Sequence, residues 1–281
     1  MKTVDFRFRP HTRETMEGLA KSPIFRKGLT EAGLDFDAFV NSARSLDEIA
    51  EEIRQEGIIK AVIVGRDAET TYDFKPNHQE ILPFIQKYPD LFTGFAGVDP
   101  HKGMEAVYML RDLVENQGFR GAAIDPLYAQ IPANDPRYYP IYAKCCELQV
   151  PVVITSGLSP KSPRVTADSS NPIYVDMVAR DFPELRIIMS HGGYPWVNEM
   201  IGVAFRNSNV YVDISECETH PMGNYYIEAA NTILRDKILF ASAHPFVHYK
   251  TAMKLYEELP FTEDAREHVM WKNGLKVLGE A

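Results

Sequence analysis

Arg186-Ile187-Ile188-Met189-Ser190-His191-Gly192-Gly193-Tyr194-Pro195-Trp196 is the stretch whose reading decides the fold. A short apolar run ends in a histidine, two glycines follow, and a helical pattern starts near Pro195. A buried strand that carries a side chain to its C-terminal tip and then turns into a helix is written this way. In a parallel α/β barrel that tip is where chemistry is done. The function therefore depends on what else in the chain converges on His191.

The same unit repeats on both sides of this stretch. Strands are expected at Thr3–Phe8, Ile58–Val64, Phe92–Val98, Gly121–Asp125, Pro151–Ser156, Arg186–His191, Val210–Ser215 and Ile238–Ser242. Between them the periodicity predicts helices at Leu46–Gln55, Pro76–Lys87, Met104–Asn116, Pro136–Leu148, Asn171–Asp181, Trp196–Arg206 and Asn224–Leu234. A helical tail follows at Tyr249–Glu257, Glu263–Val269 and Trp271–Leu278. Strict alternation forces parallel pairing with right-handed crossovers. Eight such units in 281 residues favour an α/β fold closed as a (β/α)8 TIM barrel. No glycine-rich phosphate loop follows an early strand, which argues against an open dinucleotide-binding sheet.

Residues 12–45 break the rhythm. They contain short helical pieces at Glu14–Ala20, Ser22–Ala32 and Phe36–Ser42, an insertion after the first strand. Its expected role is a lid or the contact of a homo-oligomer. No linker or low-complexity segment interrupts the rest, so residues 1–281 read as one barrel domain.

Composition narrows the partners. Hydrophobic residues make up 45% of the chain, enough for one large core, and the net charge of -9 disfavours nucleic acid, whose binders carry a basic face. No run approaches the ~18 apolar residues of a membrane span. The opening Met1-Lys2-Thr3-Val4-Asp5-Phe6 lacks the apolar core of a secretory signal. Cys145 and Cys146 are adjacent and Cys217 is remote, which gives neither a disulfide framework nor a zinc spacing. A reduced, cytoplasmic protein is expected.

In a TIM barrel the C-terminal strand ends face the site. They offer Arg7 and Arg9, then Arg66 and Asp67, Asp99 and His101, Asp125 and Tyr128, and Thr155 and Ser156. His191 follows, then Asp213, Ser215 and Glu216, and last Ser242 and His244. Arg7 and Arg9 alternate with Phe6 and Phe8, so both arginines are expected on one strand face. Two neighbouring guanidiniums repel unless an anion lies between them, and a carboxylate satisfies them with charge-assisted hydrogen bonds. The bland alternative is a structural pairing with Asp5, Asp67 or Asp99. His191, uncovered by Gly192 and Gly193, can take and give a proton near neutral pH, unless it is a core histidine held by a backbone carbonyl. His244 precedes Pro245, which leaves its direction open, and Tyr194 and Trp196 are expected to wall the pocket.

Several stretches resemble the amidohydrolase-related group of the amidohydrolase superfamily. They are Val4–Pro10, Asn134–Tyr142, the Ile188–Trp196 segment, Asn209–Ser215, Ile238–Phe246 and the closing Trp271-Lys272-Asn273. The resemblance implies a (β/α)8 barrel and relatives among hydrolases, lactonases, decarboxylases and hydratases of small carboxylated molecules. It also marks departures. The family's first strand carries Asp-x-His-x-His, and here both histidine positions are arginine, Arg7 and Arg9. The fifth-strand histidine falls on Thr155 and the eighth-strand aspartate on Ala243, so His191 alone remains of the usual metal ligands.

The expectation is a metal-independent hydrolase or lyase, lactonase- or decarboxylase-like, acting on a small carboxylate-bearing substrate without a cofactor such as zinc. Its catalytic residues would be His191 with His244 or Asp125, and its substrate-binding residues Arg7, Arg9, Thr155, Ser156 and Tyr194. A non-catalytic barrel that binds an anion stands as the alternative, and a rewired metalloenzyme using His191, His244 and Asp125 ranks behind it.

Overall fold

The computed structural model describes residues 1–21, 26, 30, 35–158 and 166–281. Eight parallel strands lie in sequence order as one sheet. They are β1 (Thr3–Asp5), β2 (Ile58–Val64), β3 (Phe92–Gly97), β4 (Gly121–Ile124), β5 (Val152–Thr155), β6 (Ile187–Ser190), β7 (Val210–Asp213) and β8 (Ile238–Leu239). Phe6 N–H donates to the Phe240 carbonyl at 3.0 Å, and Phe8 bridges His244 in parallel, so the last strand meets the first. This is the expected TIM barrel.

Two apolar layers hold it. One side chain or more from every strand fills the interior, among them Val4, Val62, Phe95, Ile188, Tyr211 and Leu239, all buried. The opposite strand faces pack on the surrounding helices. The helix Leu46–Gln55 shows why the local pattern was legible. Ser45 caps it through a capping box with Glu48, and Ile49, Ala50 and Ile53 form its buried face.

The first and last strands are shorter than expected. Asp5 Oδ1 accepts the backbone N–H groups of Arg7 (3.0 Å) and Ser242 (2.9 Å). A side chain thus takes the place of ladder partners, and the chain bends after β1. Arg7 and Arg9 consequently do not sit on one regular strand face. They reach the same cavity through that bend.

Of the insertion, Arg13–Lys21 and Phe36–Asn41 are helical. Most of the expected Ser22–Ala32 piece lies outside the described residues. Two short helices that periodicity could not signal, Glu69–Tyr72 and Pro126–Ala129, follow β2 and β4.

Candidate active site at the barrel mouth

Arg7, Arg9, Arg66, Asp67, Asp125 and Thr155 line one cavity at the C-terminal strand ends, together with Thr15, Phe74, Asn77 and Glu80. The three arginines differ in how their charge is met. Arg7 is only 1% exposed. Its Nη1 donates to Ser190 Oγ at 2.7 Å and lies 3.8 Å from Asp213 Oδ2. Burial lowers its pKa, and Asp213 partly offsets this. Arg66 places Nε 2.9 Å from Asp125 Oδ2 and lays its guanidinium over the Tyr128 ring at 4.9 Å.

Among the described residues, Arg9 has no such carboxylate. Its guanidinium lies 5.7 Å over Phe246, and Nη1 is buried without a hydrogen-bond partner. Burial first, then Arg7 and Arg66, pushes its pKa down to about 9. A buried cation flanked by two others is held at an electrostatic cost that an anion relieves.

Asp125 is 5% exposed. Its Oδ2 is in ion contact with Arg66, at an angle that does not make a hydrogen bond, and Oδ1 has no hydrogen-bond partner. Asp67 is engaged elsewhere, accepting from Lys102 Nζ at 2.8 Å.

His191 lies behind this wall, one residue beyond the Ser190 that Arg7 contacts, and does not line the cavity. Its backbone is left-handed (φ 67°), as are those of Gly192 and Gly193. Cys217 Sγ donates to the His191 carbonyl (3.1 Å) and Tyr226 Oη to that of Gly192 (2.6 Å), which fixes the turn. The ring Nδ1 sits 3.2 Å from Glu216 Oε2. Burial and Arg7 lower the imidazole pKa while Glu216 opposes them.

The other expected residues fall away from the cavity. The buried His244 ring stacks on Phe8 at 4.9 Å and has an unpartnered Nδ1. Ser156 Oγ donates to the Ile154 carbonyl at 3.3 Å, and Tyr194 is 37% exposed beside His220. Thr155, Arg7, Arg9 and Asp125 line the same cavity. Sequence reasoning placed Arg66 and Glu216 at strand tips without giving either a role. Thr15, Asn77 and Glu80 come from helices and loops around the mouth, where no strand-tip rule points.

The amidohydrolase family model matches residues 37–279. The chain belongs to the amidohydrolase family. A TIM-barrel protein of Bordetella bronchiseptica is similar to this amidohydrolase at 27% identity, with a TM-score of 0.78, over 100% of this chain and 99% of that one. The 2,6-dihydroxybenzoate decarboxylase of Rhizobium shares the fold at 17% identity and TM-score 0.69, covering 99% of each chain. A dihydroxybenzoic acid decarboxylase of Polaromonas sp. JS666, solved with bound manganese and 2-nitroresorcinol, aligns at 18% identity and TM-score 0.67, over 99% of this chain and 97% of that one. No curated protein matches this amidohydrolase.

The manganese in that relative calls for a test of fit. Among the described residues of this amidohydrolase, no group of three or more His, Cys, Asp or Glu side chains is placed to hold a metal ion. At the mouth the bend after β1 supplies two guanidiniums, which only donate hydrogen bonds and cannot ligate a cation. Among the described residues, the donor set at the mouth does not fit a divalent metal.

Proposed function

We propose that this amidohydrolase is a metal-independent lyase or hydrolase, decarboxylase- or lactonase-like, acting on a small carboxylate-bearing molecule. The observation that carries the reading is Arg9, a half-buried residue whose Nη1 is buried without a hydrogen-bond partner in a cavity where Arg7 and Arg66 each already have a carboxylate neighbour. A substrate carboxylate on Arg9 would supply the missing anion through charge-assisted hydrogen bonds, strengthened by the low local dielectric.

Asp125 would handle the proton. In a decarboxylation the C–C bond breaks, CO2 leaves, and the remaining carbon takes up one proton. In a hydrolysis the attacking water gives one up. Asp125 lines the cavity with Oδ1 unengaged and suits either transfer. His191, oriented by Glu216 behind Arg7, would exchange that proton with solvent. Charge that develops on a substrate oxygen would face the arginines, where one well-placed donor stabilises by roughly 2.7–4 kcal/mol.

The test is a panel of hydroxybenzoates, short keto and alkyl carboxylates and lactones, assayed after exhaustive chelation with CO2 release and product mass followed together. Turnover that survives chelation and disappears in Arg9→Met is the expected result. Turnover that needs added manganese, or that Arg9→Met leaves intact, overturns the proposal. Binding without turnover of any panel member identifies a barrel that only binds.

A further inference from the structure

The imidazoles of His11, His244 and His248 form a cluster that the site does not use. His244 lies between the other two, with ring centroids 6.1 Å from His11 and 5.3 Å from His248. Phe8 stacks beneath it at 4.9 Å, and Tyr249 stacks on His248 at 4.6 Å.

This cluster is where the end of the insertion joins the barrel. Arg44 N–H donates to the His11 carbonyl at 2.9 Å, so residues 11 and 44 form a neck. The His11 ring Nε2 reaches Ser42 Oγ at 2.8 Å and the Phe39 carbonyl at 3.1 Å, and its edge meets the Phe39 ring. At the other side, Arg9 N–H donates to the His244 carbonyl at 3.1 Å. One packed unit thus connects the helix Phe36–Asn41 to the backbone that carries Arg9.

The charges around the cluster disfavour protonation. Arg9 faces His244, and Arg44 and Lys250 face His248. Among the described residues, the carboxylates nearby are Glu52 and Glu56. Glu52 is engaged by Arg44, Tyr249 Oη (2.7 Å) and Lys250 (3.3 Å), and Glu56 by Lys250 (2.8 Å). Among the described residues the histidine ion pairs are those of His191 and His268, none in this cluster. Burial lowers all three imidazole pKa values; His248 and His11 add to this at His244, His248 adds to it at His11, and Lys250 and Arg44 add to it at His248.

We propose that His11, His244 and His248 are a pH-sensitive joint, which clamps the Phe36–Arg44 arm to the barrel mouth while neutral and releases it when protonated. The sign follows from the packing. The released arm exposes imidazoles that take up protons near their ordinary pKa of about 6.5, while the clamped cluster resists. The clamp is therefore intact above that pH and weakens as pH falls through it. The inference rests on ring packing at the end of β8 and is independent of the reaction proposed for the cavity.

Hydrogen exchange of the peptide spanning residues 35–44, corrected for intrinsic rate, tests it on the full chain at pH 7.5 and 5.5. Exchange about tenfold faster at the lower pH is expected for a locally opened segment. The double variant His244→Phe/His248→Phe keeps the stacked rings and leaves His11 as the one imidazole of the cluster able to take a proton, so the ratio should fall towards one. Should the double variant not fold, His248→Phe alone replaces an exposed ring, which also accepts the Lys250 N–H at 3.3 Å at the start of the helix Tyr249–Glu258, and should reduce the ratio. Equal exchange at both pH values in the unaltered protein, or an unreduced ratio in the folded variant, overturns the joint.

Discussion

Asp125 Oδ2 meets Arg66 Nε at 2.9 Å, and Asp125 Oδ1 is left buried and unengaged in the cavity that Arg9 shares. One oxygen of the carboxylate therefore balances a cation, while the other stays without a hydrogen-bond partner. Asp125→Asn preserves the shape and removes both the charge and the proton-carrying capacity. Turnover of the substrate that the panel identifies should fall by about 10²–10⁴, the usual range for a lost general acid or base. Circular dichroism and ligand-induced thermal shift should show a folded protein that still binds. A variant within threefold of the parent rate would assign proton transfer elsewhere, with His191 first in line.

Arg9 gives a prediction with opposite signs in the free and liganded protein. Its pKa, pushed down to about 9, marks a charged form penalised by burial and by Arg7 and Arg66. For a base with a depressed folded pKa, that penalty grows as pH falls from arginine's ordinary value towards about 9 and is complete below. Arg9→Met keeps the aliphatic length and removes the charge. Without ligand its melting temperature at pH 7.5 should equal or exceed the parent's. With a carboxylate ligand the parent should gain stability by mass action and the variant should gain none. Differential scanning calorimetry with and without ligand reads both.

Asp5 supplies a pH dependence. Its carboxyl is fully buried, and desolvation raises its pKa from 3.8 to about 6, against the hydrogen bonds from Ser242 and Arg7. An acid whose folded pKa is raised costs stability when ionised. That cost is absent below about pH 4, grows up to about pH 6 and is complete above. Asn at this position can still accept both backbone N–H groups through Oδ1, and Oδ2, which its amide nitrogen replaces, has no partner to lose. Asp5→Asn should therefore stabilise at pH 8 by up to about 3 kcal/mol, since each tenfold change in proton affinity is worth about 1.36 kcal/mol, and by little at pH 4.5. Urea unfolding at the two pH values checks it, and a gain that is equal at both would discard the buried-charge account.

The barrel interior limits what β4 can carry. A Cβ built on Gly121 would lie 2.6 Å from the Phe95 ring, well inside contact distance. Phe95 is fully buried and meets Phe6 edge-on at 6.4 Å, so it has nowhere to retreat. Gly121→Ala should destabilise by about 1–3 kcal/mol, the range for overpacking a filled core. A denaturant midpoint unchanged from the parent's would show that the ring can move.

The barrel was legible because local rules agreed with the global fold. Apolar runs such as Ile58–Val64 are buried on both sheet faces, and the Ser45–Glu48 box marks a helix start in the sequence itself. The family stretches around Arg7, His191 and Ser215 pointed to the same end of the strands. Thr155, Arg7, Arg9 and Asp125 could thus be grouped from strand tips alone, because the eight parallel strands aim all their C-terminal ends one way.

What the amino-acid order determined by itself was the alternation, the closure into a barrel and the gathering of charge at one mouth, since these follow from side-chain periodicity and residue type. The tertiary structure decided which charges face each other. Asp5 bends the first strand, after which Arg7 turns onto Ser190 and Arg9 Nη1 is left without a hydrogen-bond partner. His244 joins an aromatic stack with Phe8 and the neck of the insertion, where no strand-tip rule would put it. Glu216 reaches His191 from a neighbouring loop. Each of these turns on a side-chain direction set by contacts far apart in sequence, and periodicity carries no record of such contacts.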